Sequence, residues 1–159
     1  MPVSPSTAHR VITSANRLLQ HAEGAGWMII IVRNEYARRD WFGNFFRNAA
    51  ALEGSPGADI DPRVVVPTSA LKLSKSKPDA FSNPALESAL KLAAINRLVI
   101  IGVMAEGCVR ATVKAAARRR YSVTVATDAV GSSRSFLESF GLRNMRRAGA
   151  QLSTSAEIP

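Results

Sequence analysis

The sequence is poor in the residues that most often build metal centres and disulfides: it has one cysteine, Cys108, and two histidines, His9 and His21. A lone cysteine cannot close an internal disulfide, so nothing points to secretion. Both histidines fall in or beside the first helical segment, and no His, Cys, Asp or Glu cluster has ligand spacing. The expectation is therefore no metal and no other cofactor. No apolar run approaches the ~18 residues of a membrane span, and the opening "MPVSPSTAHR" lacks the apolar core of a signal peptide. A cytoplasmic protein with no membrane partner is expected. Acid is scarce as well. Twelve Asp and Glu oppose 21 Lys and Arg, giving a net charge of +9, and no Asp precedes Asp40. Such a balance suits an anionic partner. Yet Arg38 and Arg39 in an early loop, Lys75 and Lys77 in a central loop, Arg118 to Arg120 near a helix end, and Arg143, Arg146 and Arg147 in a late helix are scattered along the chain. No nucleic-acid-binding motif organises them, and the aromatics do not interleave with them as base-stacking platforms would. Nucleic acid is not the expected partner.

What is present is an alternation of amphipathic and continuously apolar segments in a chain of 159 residues, enough for one domain over residues 1–159. Residues 11–22 place Ile12, Ala15, Leu19 and Ala22 on one helical stripe, and Gly24 and Gly26 punctuate its end. "WMIIIV" (27–32) and "LVIIGV" (98–103) are runs of strand length, the pattern of parallel strands covered on both faces. Between them, residues 33–67 read as a long loop carrying an aromatic cluster, with "VVV" (64–66) a weak strand candidate. Helices are predicted over 84–94, with Asn83 as cap and Pro84 in the first turn, over 108–119, and over 132–149, capped by Ser132 or Ser133. "YSVTVAT" (121–127) and "AQLST" (150–154) read as further strands. The sum is an α/β domain with a mostly parallel sheet between helix layers. In such sheets ligands bind beyond the C-terminal ends of the strands, where residues 104–108 lie.

That position draws attention to Cys108. A thiol at a helix N-terminus meets unpaired backbone N–H groups and the positive end of the helix dipole, which favour an anion. The same groups can form an oxyanion hole, and Gly107 allows close approach to the backbone. Free cysteine is also a common space-filling residue of cores, and local context alone leaves both readings open.

The wider pattern resembles the cysteine-hydrolase branch of the isochorismatase-like family. In "LVIIGVMAEGCVRATVKAAARRRYSVTVATDAVGSS", Gly102, Val103, Glu106, Cys108, Val109, Tyr121, Val123, Asp128 and Ala129 stand at the matching positions. The resemblance extends through "KSKPDAFSNPALESAL" and "NRLLQHAEGAGWMIIIVRNEY" and covers about residues 9–150. It implies a three-layer Rossmann-like, mostly parallel sheet with helices on both faces. It also implies hydrolysis of a C–N bond, amide or carbamoyl, in a small molecule. Cys108 matches the nucleophile and Lys75, six residues before Phe81, the catalytic lysine, with Lys77 its near neighbour. The family's non-proline cis peptide falls at Val103–Met104, aiming the backbone N–H groups of Met104 and Cys108 at a developing oxyanion. Trp41, Phe42 and Phe81 are candidates to shape the substrate pocket. Asp128 and Glu106 are expected to be structural acids of turns or caps. Self-association is also expected.

The resemblance breaks at the start. The family opens with a buried strand ending in an Asp, which serves as the general acid/base. Only "MPVSPSTA" stands before the first helix here. Glu35, Asp40, Asp59, Asp61 and Asp79 are possible replacements, none favoured by position. A sheet lacking a central strand must close up, be filled, or leave backbone groups unpaired. Two functions compete: a hydrolase impaired in turnover, and a catalytically inactive binding or scaffold protein of the same fold.

Overall fold

The computed structural model describes residues 3–35 and 60–159. Ser4 opens helix α1 (Pro5–Gly24), its side chain accepting from the Thr7 N–H. The helix thus starts well before its apolar stripe, and Val11, Ala15, Leu18, Leu19 and Ala22 form its buried side. Strand β1 (Ile30–Asn34) follows, then β2 (Leu71–Lys75), helix α2 (Pro84–Leu92) with Asn83 as cap, and β3 (Arg97–Val103). A π-turn (Ala105–Val109) leads into α3 (Arg110–Arg118). Strand β4 (Ser122–Gly131), helix α4 (Ser135–Arg147), β5 (Gln151–Ser153) and a 3₁₀ turn (Ser155–Glu157) complete the order.

Three sequence expectations need correction. Val64–Val66 form no strand, and the strand lies instead at β2. Lys75 is therefore the last residue of a strand rather than part of a loop. Helix α4 is capped at Arg134, downstream of both serines, because β4 runs on to Gly131.

Among the described residues every strand pair is parallel, and the strands form two separate sheets, β1–β2 and β3–β4–β5. The two are halves of one layered structure. On one face Ile30, Val32 and Leu73 of the first sheet and Leu98, Ile100, Val123 and Val125 of the second join a single core with Leu86 and Leu90 of α2, Val113 and Ala116 of α3 and Met145 of α4. On the other face α1 spans both sheets. Leu18 packs with Val99, Ile101 and Ala126, and its neighbour Leu19 packs with Ile29 and Ile31. Alternate residues of β1 and β3 thus enter the same two layers, the period-2 pattern of strands in one plane. Among the described residues no strand lies between them.

Strand β4 carries an irregularity. Its register on β3 shifts between Ile100 and Gly102, freeing carbonyls of residues 127–130. Arg10 of α1 takes them up: Nη1 donates to the Thr127, Asp128 and Val130 carbonyls at 3.1–3.2 Å, while Nη2 pairs with Glu138 of α4 at 2.9 Å. Asp128 is held in the same bulge, where its carboxylate accepts from the Ser155 backbone N–H (2.7 Å) and hydroxyl (2.5 Å). Burial alone would push this carboxyl up, but the hydrogen bonds from Ser155 and Ser14 outweigh it and hold it below its ordinary value. A depressed folded-state value stabilises the fold above the ordinary carboxylate range, and that contribution fades as pH falls through the folded value. Asp128→Asn is therefore expected to cost about 1–2 kcal/mol at neutral pH. The gap to wild type should narrow in acid, as measured by urea unfolding at pH 7 and pH 3.

Candidate functional site

The strand register builds the site. Asn34 and Lys75 end β1 and β2 and are direct partners across the parallel pair, so their side chains leave the sheet on the same face. Lys75 Nζ donates to Asn34 Oδ1 and, at 2.8 Å, to the Lys77 carbonyl. Asn34 Nδ2 in turn donates to Cys108 Sγ at 3.5 Å. A side-chain chain, ammonium to amide to thiol, thus crosses the C-terminal ends of the two sheets. Lys75 is 8% exposed, although its neighbours Ser76 and Lys77 are open to solvent. Among the described residues no carboxylate bonds to or pairs with Lys75 or Cys108.

The half-buried thiol is carried by the π-turn, one residue before its end and two before α3. Strand β3 reaches this turn through Gly102, whose φ of +127° lies in the region reserved for glycine, and through a cis Val103–Met104 peptide. The Met104 carbonyl then accepts from both Gly107 (3.0 Å) and Val109 (3.3 Å), which winds the turn tightly. Helix α4 packs directly on it. A Cβ at Gly141 would lie 2.6 Å from the Ala105 carbonyl carbon and 2.8 Å from the Glu106 nitrogen. Backbone cannot yield at that distance, so Gly141→Ala is expected to destabilise the fold by about 1–3 kcal/mol. It should also displace the turn that holds Cys108. Thermal melting and the rate of Cys108 alkylation check both effects.

The remaining candidates separate. Phe81 is 6% exposed, lies 5.7 Å from the Tyr121 ring and is covered by the Arg119 guanidinium at 4.7 Å, so it packs in the core. Trp41, Phe42, Asp40 and Asp59 lie outside the described residues. Asp61 pairs with Arg63 at 2.7 Å, and Asp79 caps the turn at Phe81. Glu35 follows Asn34 and pairs with Arg33 at 3.6 Å. It also borders an open cleft of about 320 Å³ with Lys75, Lys77, Ser82 and Asn83. Cys108 is not part of that cleft's lining. Glu106 Oε2 is buried without a hydrogen-bond partner among the described residues. Within those residues no group of three His, Cys, Asp or Glu is placed to hold a metal ion, and no helix is long and apolar enough to cross a membrane. Asn34 is the residue the sequence reading misses. Its one signal is its place at the C-terminal end of a strand.

Similarity to known proteins follows the same outline. A probable inactive nicotinamidase of Arabidopsis thaliana is 26% identical over 157 residues, covering 92% of this chain and 80% of its own. An uncharacterized isochorismatase family protein, YaaI of Bacillus subtilis, is 24% identical over 150 residues, with 94% and 82% covered. Two solved structures share the fold. N-carbamoylsarcosine amidase from Thermoplasma acidophilum superposes with a TM-score of 0.84 at 22% identity, over 98% of this chain and 88% of that one. Pyrazinamidase of Pyrococcus horikoshii, solved in complex with zinc, superposes at 0.85 and 24% identity, over 96% and 88%. The isochorismatase domain model matches residues 2–157, nearly the whole length over which the split sheet, the cis peptide and the Cys108 turn are laid out, and the chain belongs to the isochorismatase domain family.

Proposed function

We propose that this chain is a cysteine hydrolase acting on a C–N bond, amide or carbamoyl, of a small molecule, with Cys108 as nucleophile and with impaired turnover. The observation that carries the reading is the Lys75–Asn34–Cys108 chain at the strand ends. Amidases among the proteins of the same fold support it. Cys108 Sγ attacks the carbonyl carbon, and the backbone N–H groups of Met104 and Cys108 receive the oxyanion. The C–N bond then breaks, the thiol proton leaves with the amine, and a thioester remains. Water must next attack that thioester, and among the described residues no carboxylate is bonded to the thiol or to Lys75 to take the water's proton. Asn34 can orient a water but cannot take its proton, and a positioned general base is worth about 10²- to 10⁴-fold. The chain acts as a homo-oligomer on a freely diffusing substrate.

Mass spectrometry of the chain incubated with an activated amide tests this. One acyl group per chain, lost in Cys108→Ala and cleared slowly, is the expected result. Rapid steady-state turnover that survives Cys108→Ala would overturn it. A second reading, a binding protein of the same fold without catalysis, is favoured by the side-chain partner of the thiol, which among the described residues is the neutral amide of Asn34. A relative named as probably inactive supports it too. Complete absence of the acyl adduct would select that reading.

A further inference from the structure

Helix α4 turns two phenylalanines outward. Phe136 is 59% and Phe140 44% exposed, one turn apart. Arg143 and Arg147 are exposed too, and the spacing 136, 140, 143, 147 sets all four on one stripe of the helix. The buried Gly141 and Met145 mark the opposite side, so this stripe is the face turned away from the core. Its first half is apolar and its second half basic.

The surroundings repeat that chemistry. The Arg110 guanidinium of α3 lies 5.7 Å from the centre of the Phe140 ring, and that of Arg134 lies 5.9 Å from the centre of Phe136. Lys114, one turn along α3 from Arg110, is exposed. Acid is missing from both helices where it could offset these charges. Helix α3 contains none, and the single acid of α4, Glu138, is held by Arg10 at 2.9 Å. Among the described residues no carboxylate pairs with Lys114, Arg143 or Arg147.

We propose that this stripe docks an acidic amphipathic helix of another protein, lying antiparallel to α4. Aromatic residues and arginine are the types enriched where proteins meet. A helix laid along α4 meets it through its own i, i+4, i+7 and i+11 residues. Two of these must be apolar to cover the rings, and two acidic to face Arg143 and Arg147. Acids stabilise the N-terminal turns of the helix that carries them, as arginines do the C-terminal turns of α4, and the antiparallel arrangement satisfies both dipoles. A second copy of this chain suits the stripe poorly, since it brings the same uncompensated cations on a net charge of +9. Nucleic acid presents phosphates along its whole length and bases to open ring faces, whereas one face of each ring here is taken by a guanidinium. A bilayer favours an apolar face along the full helix with cations beside it, whereas here apolar and basic residues divide the stripe end to end.

The probe is the peptide acetyl-Ser-Glu-Ala-Gln-Ala-Glu-Ala-Gln-Leu-Ala-Gln-Ala-Leu-Ala-amide, titrated into the isotope-labelled full chain and followed by amide NMR shifts. Shifts confined to residues 110–114 and 134–147, saturating at one peptide per chain, are expected. Arg143→Glu combined with Arg147→Glu should weaken binding by about tenfold or more. A peptide with Lys in place of both Glu should then bind that variant and not the wild type. Phe136→Ser combined with Phe140→Ser should also weaken binding about tenfold. All four side chains are exposed, and unchanged amide shifts elsewhere verify that each variant is folded. No shift at millimolar peptide, or equal binding of the Lys peptide by the wild type, would overturn the proposal. So would shifts of these amides with equal-part phosphatidylserine and phosphatidylcholine vesicles, or with an oligothymidylate, where the peptide gives none. Shifts that grow with the chain's own concentration, without peptide, would assign the stripe to a second copy and overturn it as well.

Discussion

Lys75→Met is expected to slow acylation of Cys108 by about 10- to 100-fold while leaving the fold equally or more stable. Lys75 is 8% exposed, and its ammonium is met by an amide oxygen and a backbone carbonyl. Two neutral acceptors return only part of what desolvating a charge costs, and an apolar side chain of similar length removes that cost. The orphaned Asn34 oxygen then loses about 1 kcal/mol of hydrogen bonding, which sets an upper limit on the gain of about 2 kcal/mol. The kinetic effect has the opposite sign. A charge of one unit, relayed through Asn34, lies close enough to lower the energy of negative charge developing on substrate and sulfur. At an effective dielectric near 20 this is worth a few kcal/mol. A residue whose removal stabilises the protein and slows its chemistry is placed for function. Urea denaturation and stopped-flow labelling with an activated amide separate the two effects. A large loss of stability with unchanged labelling would make Lys75 a structural residue.

Much of the layout was legible because the signals are local. A run such as "LVIIGV" cannot be satisfied except between two apolar layers, and it becomes β3. Asn83 and Pro84 start α2 as their backbone preferences dictate. Strand β2 was not legible. "LKLSK" is short and carries two lysines, and its strand identity depends on pairing with β1 about forty residues away in sequence. The same long-range register hides Asn34, which becomes a site residue only because it faces Lys75 across the pair. The core position of Phe81 was hidden for the converse reason. An aromatic in a polar segment looks exposed until Tyr121 and Arg119 close over it. Pair-dependent features of this kind carry no periodicity for a single sequence to display.

Asn34→Asp is expected to raise the rate at which the Cys108 adduct is cleared by about 10²-fold or more. The substitution changes one atom, so shape and register are kept, and the new carboxylate stands where the amide now bridges Lys75 Nζ and Cys108 Sγ. Three consequences follow from the charge. The buried ammonium gains the counter-ion it lacks among the described residues, which favours the ionised carboxylate. The carboxylate can accept the thiol proton during attack and return a proton to the departing amine. It can then take the proton of the water that attacks the thioester, the step for which an amide has no capacity. The general-base contribution of about 10²- to 10⁴-fold sets the scale. Lys75→Met combined with Asn34→Asp should erase the gain, because an unpaired carboxylate at that depth takes up a proton instead of donating its charge. Product release by Asn34→Asp no faster than by wild type, with the adduct still forming on Cys108, would show that the thiol's limiting step is not proton transfer at position 34.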